Sequence, residues 1–279
     1  MQVGIMSAHF RRDSLAEVLD SIVGHDIRQL QFSLFSAGIR GIPDEVEATV
    51  CDEIRAEISK RDMHIAALNG EVNMVHPEDD ARNEAIRQLK ALIRTARPMG
   101  TSVIATCTGS RSAKSMWQNH PDNKTDEAWA VMRDTLEQIL PVAEEHDVVI
   151  AFEPEVNNVT NTAVKSKRII DEMGSKHLGV VMDAANIFNE GELPRMTEIL
   201  DEAFDLLGEN IAIAHGKDLD HDGDAGHLAA GTGKLDYQRY VRHLCNLPFD
   251  VPVILHGLSE EQVDGCVAML KGHAEKFQS

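Results

Sequence analysis

Short apolar runs alternate along this chain with segments whose apolar residues recur at helical spacing. The runs Gln2–Met6, Leu30–Leu34, Met63–Leu68, Ser102–Cys107, Val148–Phe152, Leu178–Met182, Ile211–Ala214 and Val251–Leu255 read as strands. Val148–Phe152 is apolar throughout, as a strand buried on both faces is. Between the runs lie helical segments. Ala85, Ile86, Leu89, Leu92, Ile93 and Ala96 line one face of a helix, and Ser14 with Glu17 has capping-box spacing. The second helix is expected from about Pro43 to Lys60, because proline suits a first turn. Further helices are expected over about Asp126–Glu145, Thr160–Met173, Pro194–Leu207, Tyr237–Leu244 and Ser259–Lys276. Pro141 forecasts a kink or an early end in the first of these.

Eight strand–helix units in strict alternation imply a parallel sheet with right-handed crossovers. That number of units in 279 residues predicts one domain, 1–279, folded as a closed (β/α)8 barrel. The competing open, doubly wound sheet usually carries a glycine-rich phosphate turn after its first strand. Here Ser7-Ala8-His9-Phe10-Arg11 stands at that place.

In a barrel, chemistry comes from the C-terminal ends of the strands. The last four expected strands run into Glu153-Pro154-Glu155, Asp183, His215-Gly216-Lys217-Asp218 and His256-Gly257. Each alone has a plain explanation: a helix cap, a structural histidine, a solvated loop charge. Four at equivalent positions of consecutive strands point instead to one divalent-metal site made of Glu153, Asp183, His215 and His256. Oxygen and imidazole ligands suit Mn, Zn, Co, Fe or Mg.

Composition narrows the partners. With 46 acidic against 27 basic residues the formal net charge is −19, which repels a phosphate backbone and argues against nucleic acid. No apolar stretch approaches the ~20 residues of a membrane helix, and the first residues read as a strand, not a signal peptide. Cys51, Cys107, Cys245 and Cys266 form no C-x-x-C pair, as expected of reduced, mostly buried thiols in a cytoplasmic protein. The sequence leaves a homodimer or homotetramer open.

The run Glu153-Pro154-Glu155 with Asn157 and Asn158, then Asp183-Ala184-Ala185-Asn186, then His215-Gly216-Lys217-Asp218, resembles the xylose isomerase-like TIM barrel superfamily, and within it the sugar phosphate isomerase/epimerase group. Asn69, Met74-Val75-His76-Pro77, Thr106–Arg111, Met116-Trp117, His120-Pro121 and Asn123 fit the same resemblance, which spans nearly the whole chain. It implies one divalent ion held by a Glu, an Asp, a His and a second Glu from strands five to eight. Glu153, Asp183 and His215 match the first three, and His256 stands where the second Glu is expected. The superfamily's three-metal DNA-repair enzymes need histidines that this chain lacks after Asp183 and at Thr106-Cys107.

The resemblance implies a metal-dependent isomerase or epimerase of a sugar, keto-sugar or sugar phosphate. Glu153 or His256 would remove a proton, and Lys217 would share the oxyanion charge or pair with Glu155 or Asp183. A lyase or dehydratase acting on a keto-sugar or keto-glycoside is the alternative, and a non-catalytic metal-binding barrel the third reading. Candidate substrate contacts are His76, Arg111, Trp117, Glu155 and Asn186. For three of them a plain role competes: His76 as a turn residue before Pro77, Arg111 as a solvated loop charge, Trp117 as packing.

Overall fold

The computed structural model describes residues 1–277. The strands are β1 (Val3–Met6), β2 (Gln29–Phe32), β3 (His64–Asn69), β4 (Val103–Cys107), β5 (Val149–Glu153), β6 (Leu178–Asp183), β7 (Ile211–Asp218), β8 (Leu228–Ala229) and β9 (Val253–Leu255). β1 to β7 and β9 pair in parallel, each with its neighbour, and β9 closes the ring between β7 and β1. This is the expected (β/α)8 barrel, with helices α1 (Leu15–Gly24), α2 (Ala48–Ser59), α3 (Asp79–Met99), α4 (Asp126–Glu145), α5 (Ala163–Met173), α6 (Met196–Leu207), α7 (Tyr237–Cys245) and α8 (Val263–Ala274) outside it. Among the described residues no helix is long and apolar enough to cross a membrane.

Two apolar layers follow from the strand pleat. Met6, Ala67, Ala105, Ala151, Val181, Ile213 and Ile254 fill the barrel interior, while the larger cluster lies between strands and helices. The interior is made mostly of small residues, so the aromatics can stay few. Gly4 in β1 shows how tight the packing is. A Cβ there would stand 2.6 Å from Ile254 Cδ1 and 2.7 Å from the Gln29 carbonyl oxygen.

Several boundaries differ from the pattern-based reading. Ser14 and Glu17 do form a capping box on α1. α2, however, begins at Ala48 rather than near Pro43. α4 continues through Pro141 to Glu145. Proline removes the bond to the Glu137 carbonyl, and Glu137 lies on the exposed face where water can replace it. β7 runs four residues beyond the expected Ala214, because Lys217 and Asp218 pair antiparallel with β8. That extension carries His215 and Lys217 on regular backbone.

Candidate metal centre

Asp183 and His215 are register partners at the ends of β6 and β7. Glu153 ends β5, one strand further round. One ligand atom from each of the three lies within 4.8 Å of the others, and all three side chains are buried. His215 Nδ1 is 3.4 Å from both Glu153 Oε2 and Asp183 Oδ2, yet makes no hydrogen bond.

The other imidazole nitrogen explains this orientation. His215 Nε2 donates to Gln31 Oε1 at 2.8 Å, and Gln31 Nε2 donates to Asn69 Oδ1 at 2.9 Å. With its amide nitrogen engaged, Gln31 offers His215 an acceptor oxygen, so the Nε2 proton is fixed there. The Nδ1 lone pair then faces two carboxylates. A histidine ligand is commonly oriented in this way through its second nitrogen. The residues present therefore fit a divalent cation.

Further bonds hold the strand ends in place. The single hydroxyl proton of Tyr240 in α7 is shared between the carbonyls of Met182 (2.8 Å) and His215 (3.0 Å), and Tyr237 donates to Lys217 O at 2.8 Å. Tyr240→Phe would leave two buried carbonyls with fewer donors. We expect it to lower unfolding stability by about 1–3 kcal/mol, read from denaturant midpoints; an unchanged midpoint would make these bonds dispensable.

Asn186 Nδ2 donates to Glu153 Oε1 and, at 3.3 Å, to Asp183 Oδ2, while its Oδ1 accepts from Gly226 N at 2.8 Å. Asn186 therefore positions the two carboxylates. Lys217 Nζ lies 3.0 Å from Asp183 Oδ2. Burial opposes the Lys217 charge, but Asp183 and Glu153 outweigh it and raise its pKa. Burial likewise opposes the Asp183 charge, and Lys217 with His215 overcomes that to hold the carboxyl below its usual range. For His215 burial works against protonation, yet Glu153 and Asp183 push the pKa up to about 9. A proton thus takes the cation's place in the apo protein.

That competition has a sign. The folded pKa of about 9 exceeds the ordinary value of 6.5, so the proton's contribution to apo stability is full below pH 6.5 and lost as pH rises towards 9. A ligated ion needs the neutral ring. Metal affinity is expected to rise about tenfold per pH unit across this window, with one proton released per ion, measured by titration calorimetry in buffers of differing ionisation enthalpy. Affinity independent of pH would exclude His215 as a ligand.

His256 stands outside the group, since neither ring nitrogen lies within 4.8 Å of all three ligand atoms. Its ring centroid is 5.3 Å from that of His215 and 5.8 Å from that of His9. Nδ1 is buried and unpartnered. Burial, then the charges of Lys217 and His215, lowers its pKa well below the ordinary value, so the ring is neutral.

The remaining expected residues separate. Glu155 is buried and accepts from Asn157 N at 3.0 Å and from Asn158 Nδ2; burial, with repulsion from Glu153, pushes it up to about 8. Arg111 donates Nη1 to the carbonyls of Val75 (3.1 Å) and His76 (3.4 Å), and Nη2 lies 3.4 Å from Glu127. It braces a loop, the plainer of the two roles that the sequence leaves open for it. His76 Nδ1 accepts from Glu78 N at 3.2 Å, a turn role. Trp117 is exposed on the long loop before α4.

Pattern reading passed over Gln31 and Glu71. Gln31 is a polar residue that is 1 % exposed within a strand, a signal visible only once burial is known. Glu71 follows Asn69-Gly70. Its pKa is raised, first by enclosure within the protein and then by Glu153. Asn69 and Glu71 line a pocket of ≈ 150 Å³ with Ser33, Phe35 and Ile42.

Fold and site together define a (β/α)8 barrel with a buried carboxylate–histidine cluster, able to hold a cation, at the C-terminal end of its strands. The chain belongs to the xylose isomerase-like TIM barrel family, whose sequence model matches residues 26–271. No curated protein matches it by sequence. Among solved structures it is similar to a D-tagatose 3-epimerase-like protein (TM-score 0.76, 15% identity, 100% of this chain and 98% of that one). It is also similar to the IolI protein with a bound zinc atom (0.76, 17%, 99% and 99%), and to 3-keto-D-glucoside 4-epimerase from E. coli (0.75, 17%, 98% and 99%). At these identities the likeness concerns the fold.

Proposed function

We propose that the protein is a divalent-metal-dependent isomerase or epimerase of a sugar, keto-sugar or sugar phosphate. The observation that carries this is the placement of His215 Nδ1, without a hydrogen-bond partner, between Glu153 and Asp183, where the Nε2–H···Gln31 bond holds it. Glu153, Asp183 and His215 would hold a divalent ion (Mn, Zn, Co or Mg), which would supply the Lewis acidity that lowers the pKa of the C–H between a carbonyl and a hydroxyl.

The chain's own groups then handle the proton. The Glu153 carboxylate, whose Oε1 is positioned by Asn186, removes it. The Lys217 ammonium stands ready to stabilise the enediolate oxygen. His256, neutral and with Nδ1 free, is the second proton-handling group. Return to the neighbouring carbon isomerises; return to the other face epimerises. The pocket beside Asn69 and Glu71 offers polar contacts for hydroxyl groups.

Incubation with a panel of ketoses, keto-glycosides and sugar phosphates in D2O tests this by NMR. An isomer carrying deuterium at carbon is expected. An enone formed with loss of water or aglycone would make the protein a lyase or dehydratase instead.

Gln31→Leu removes the acceptor for His215 Nε2 while keeping a buried side chain. Metal affinity is expected to fall roughly 10–100-fold, with the histidine tautomer change visible in nitrogen-15 NMR. Unchanged affinity would mean that Gln31 does not orient the ligand.

A further inference from the structure

Past β7 the chain reads Asp218-Leu219-Asp220-His221-Asp222-Gly223-Asp224. Alternate carboxylates followed by glycine have the spacing of a calcium loop. The fold disperses them. Asp218 is buried and accepts from the amides of Gly231 (3.1 Å), Gly233 (2.9 Å) and Leu235 (2.9 Å). Asp222 accepts from Leu193 N at 2.7 Å, and Asp224 from Asn157 Nδ2 at 2.7 Å.

Asp220 meets two imidazoles instead. His221 Nδ1 contacts Asp220 Oδ1, and His227 Nε2 lies 3.8 Å from the same oxygen. One ligand atom from each residue lies within 4.8 Å of the others. The ring centroids are 5.6 Å apart and the planes tilted by 51°. All three side chains are exposed, so water can complete a coordination shell.

We propose that Asp220, His221 and His227 form a second metal site that takes a borderline divalent ion of the zinc, cobalt or nickel class. Two nitrogens and one oxygen match that class, whereas calcium needs six to eight oxygens. This assignment does not depend on the reaction proposed above.

The place of the site suggests its role. Asp220 and His227 are the two feet of a surface loop, and an ion would tie them together. Gly226, next to His227, donates to Asn186, which holds Glu153. The loop is already pressed close there: a Cβ on Gly226 would stand 2.5 Å from Ala185 Cβ and 2.7 Å from the Asp218 carbonyl oxygen. An ion at the loop's feet would thus stiffen the support of the first centre.

The test is zinc titration of the metal-free, full-length protein, with bound metal counted by elemental analysis after gel filtration. Two ions per chain are expected in the wild type and one in the His221→Ala/His227→Ala double variant. His64→Ala, at an exposed histidine outside both groups, should leave two. Exchange of the Gly226 amide should slow on zinc binding both in the wild type and in Glu153→Gln, whose first centre is weakened, and not in the double variant. An unchanged ion count in the double variant, or a Gly226 amide indifferent to zinc in every protein, would overturn the assignment. Loss of only the first ion, with the loop ion retained, would count against the proposed reaction and leave this site standing.

Discussion

Asp183→Asn is expected to abolish tight metal binding and to lower the melting temperature by roughly 5–10 °C. Asp183 is fully buried, and its carboxylate faces Lys217 at 3.0 Å and His215 at 3.4 Å. Asparagine keeps the shape and removes the charge. Lys217 is 4 % exposed and would lose its salt-bridge partner, with only the weaker pull of Glu153 and Glu155 remaining. An unpaired buried charge of this kind costs about 3 kcal/mol or more. The loss should persist in excess manganese or zinc, since a ligand is missing as well. Calorimetric melting with and without metal checks both halves. A melting temperature within about 2 °C of the wild type, together with intact binding, would show that the buried ion pair is not what holds this part of the barrel.

The second large effect concerns chemistry rather than stability. Glu153→Gln should lower kcat roughly a thousandfold, since positioned proton transfer contributes about 10²–10⁴. The amide oxygen of glutamine can still accept from Asn186 Nδ2, so the local hydrogen bonding survives. The variant should therefore fold, with a smaller drop in melting temperature than Asp183→Asn because Asp183 still pairs with Lys217, and lose deuterium exchange at the substrate carbon. KM should move far less than kcat if the carboxylate acts in the transition state. Activity within tenfold of the wild type would remove Glu153 from the base role. His256 would then be the next group to test.

Much of the barrel could be read from the chain because its strands are short and apolar and its helices amphipathic. Both periods are local properties. The places of Glu153, Asp183 and His215 were legible for the same reason: they interrupt or terminate apolar runs at equivalent heights, although β7 itself runs on to Asp218. The start of α2 was not legible, because Pro43 suits a first turn but the segment before Ala48 folds as loop. Gln31 was missed because its meaning lies across the barrel. Nothing near residue 31 says that residue 215 will present a ring nitrogen to it. His256 shows the opposite limit. Its strand-end position is as expected, yet it is not part of the Glu153, Asp183 and His215 group, and its ring lies 5.3 Å from that of His215. β8 escaped notice because a two-residue strand has no periodicity, and it exists only by pairing with Lys217 and Asp218.

The central claim is that Glu153, Asp183 and His215 hold one divalent ion through the Nδ1 atom of the histidine. Anomalous diffraction from crystals soaked in manganese tests it directly. A peak is expected about 2.0–2.3 Å from Glu153 Oε2, Asp183 Oδ2 and His215 Nδ1, with Gln31 still bonded to Nε2. A peak bound through His215 Nε2, or no peak among these three residues while manganese occupies other sites, would contradict it.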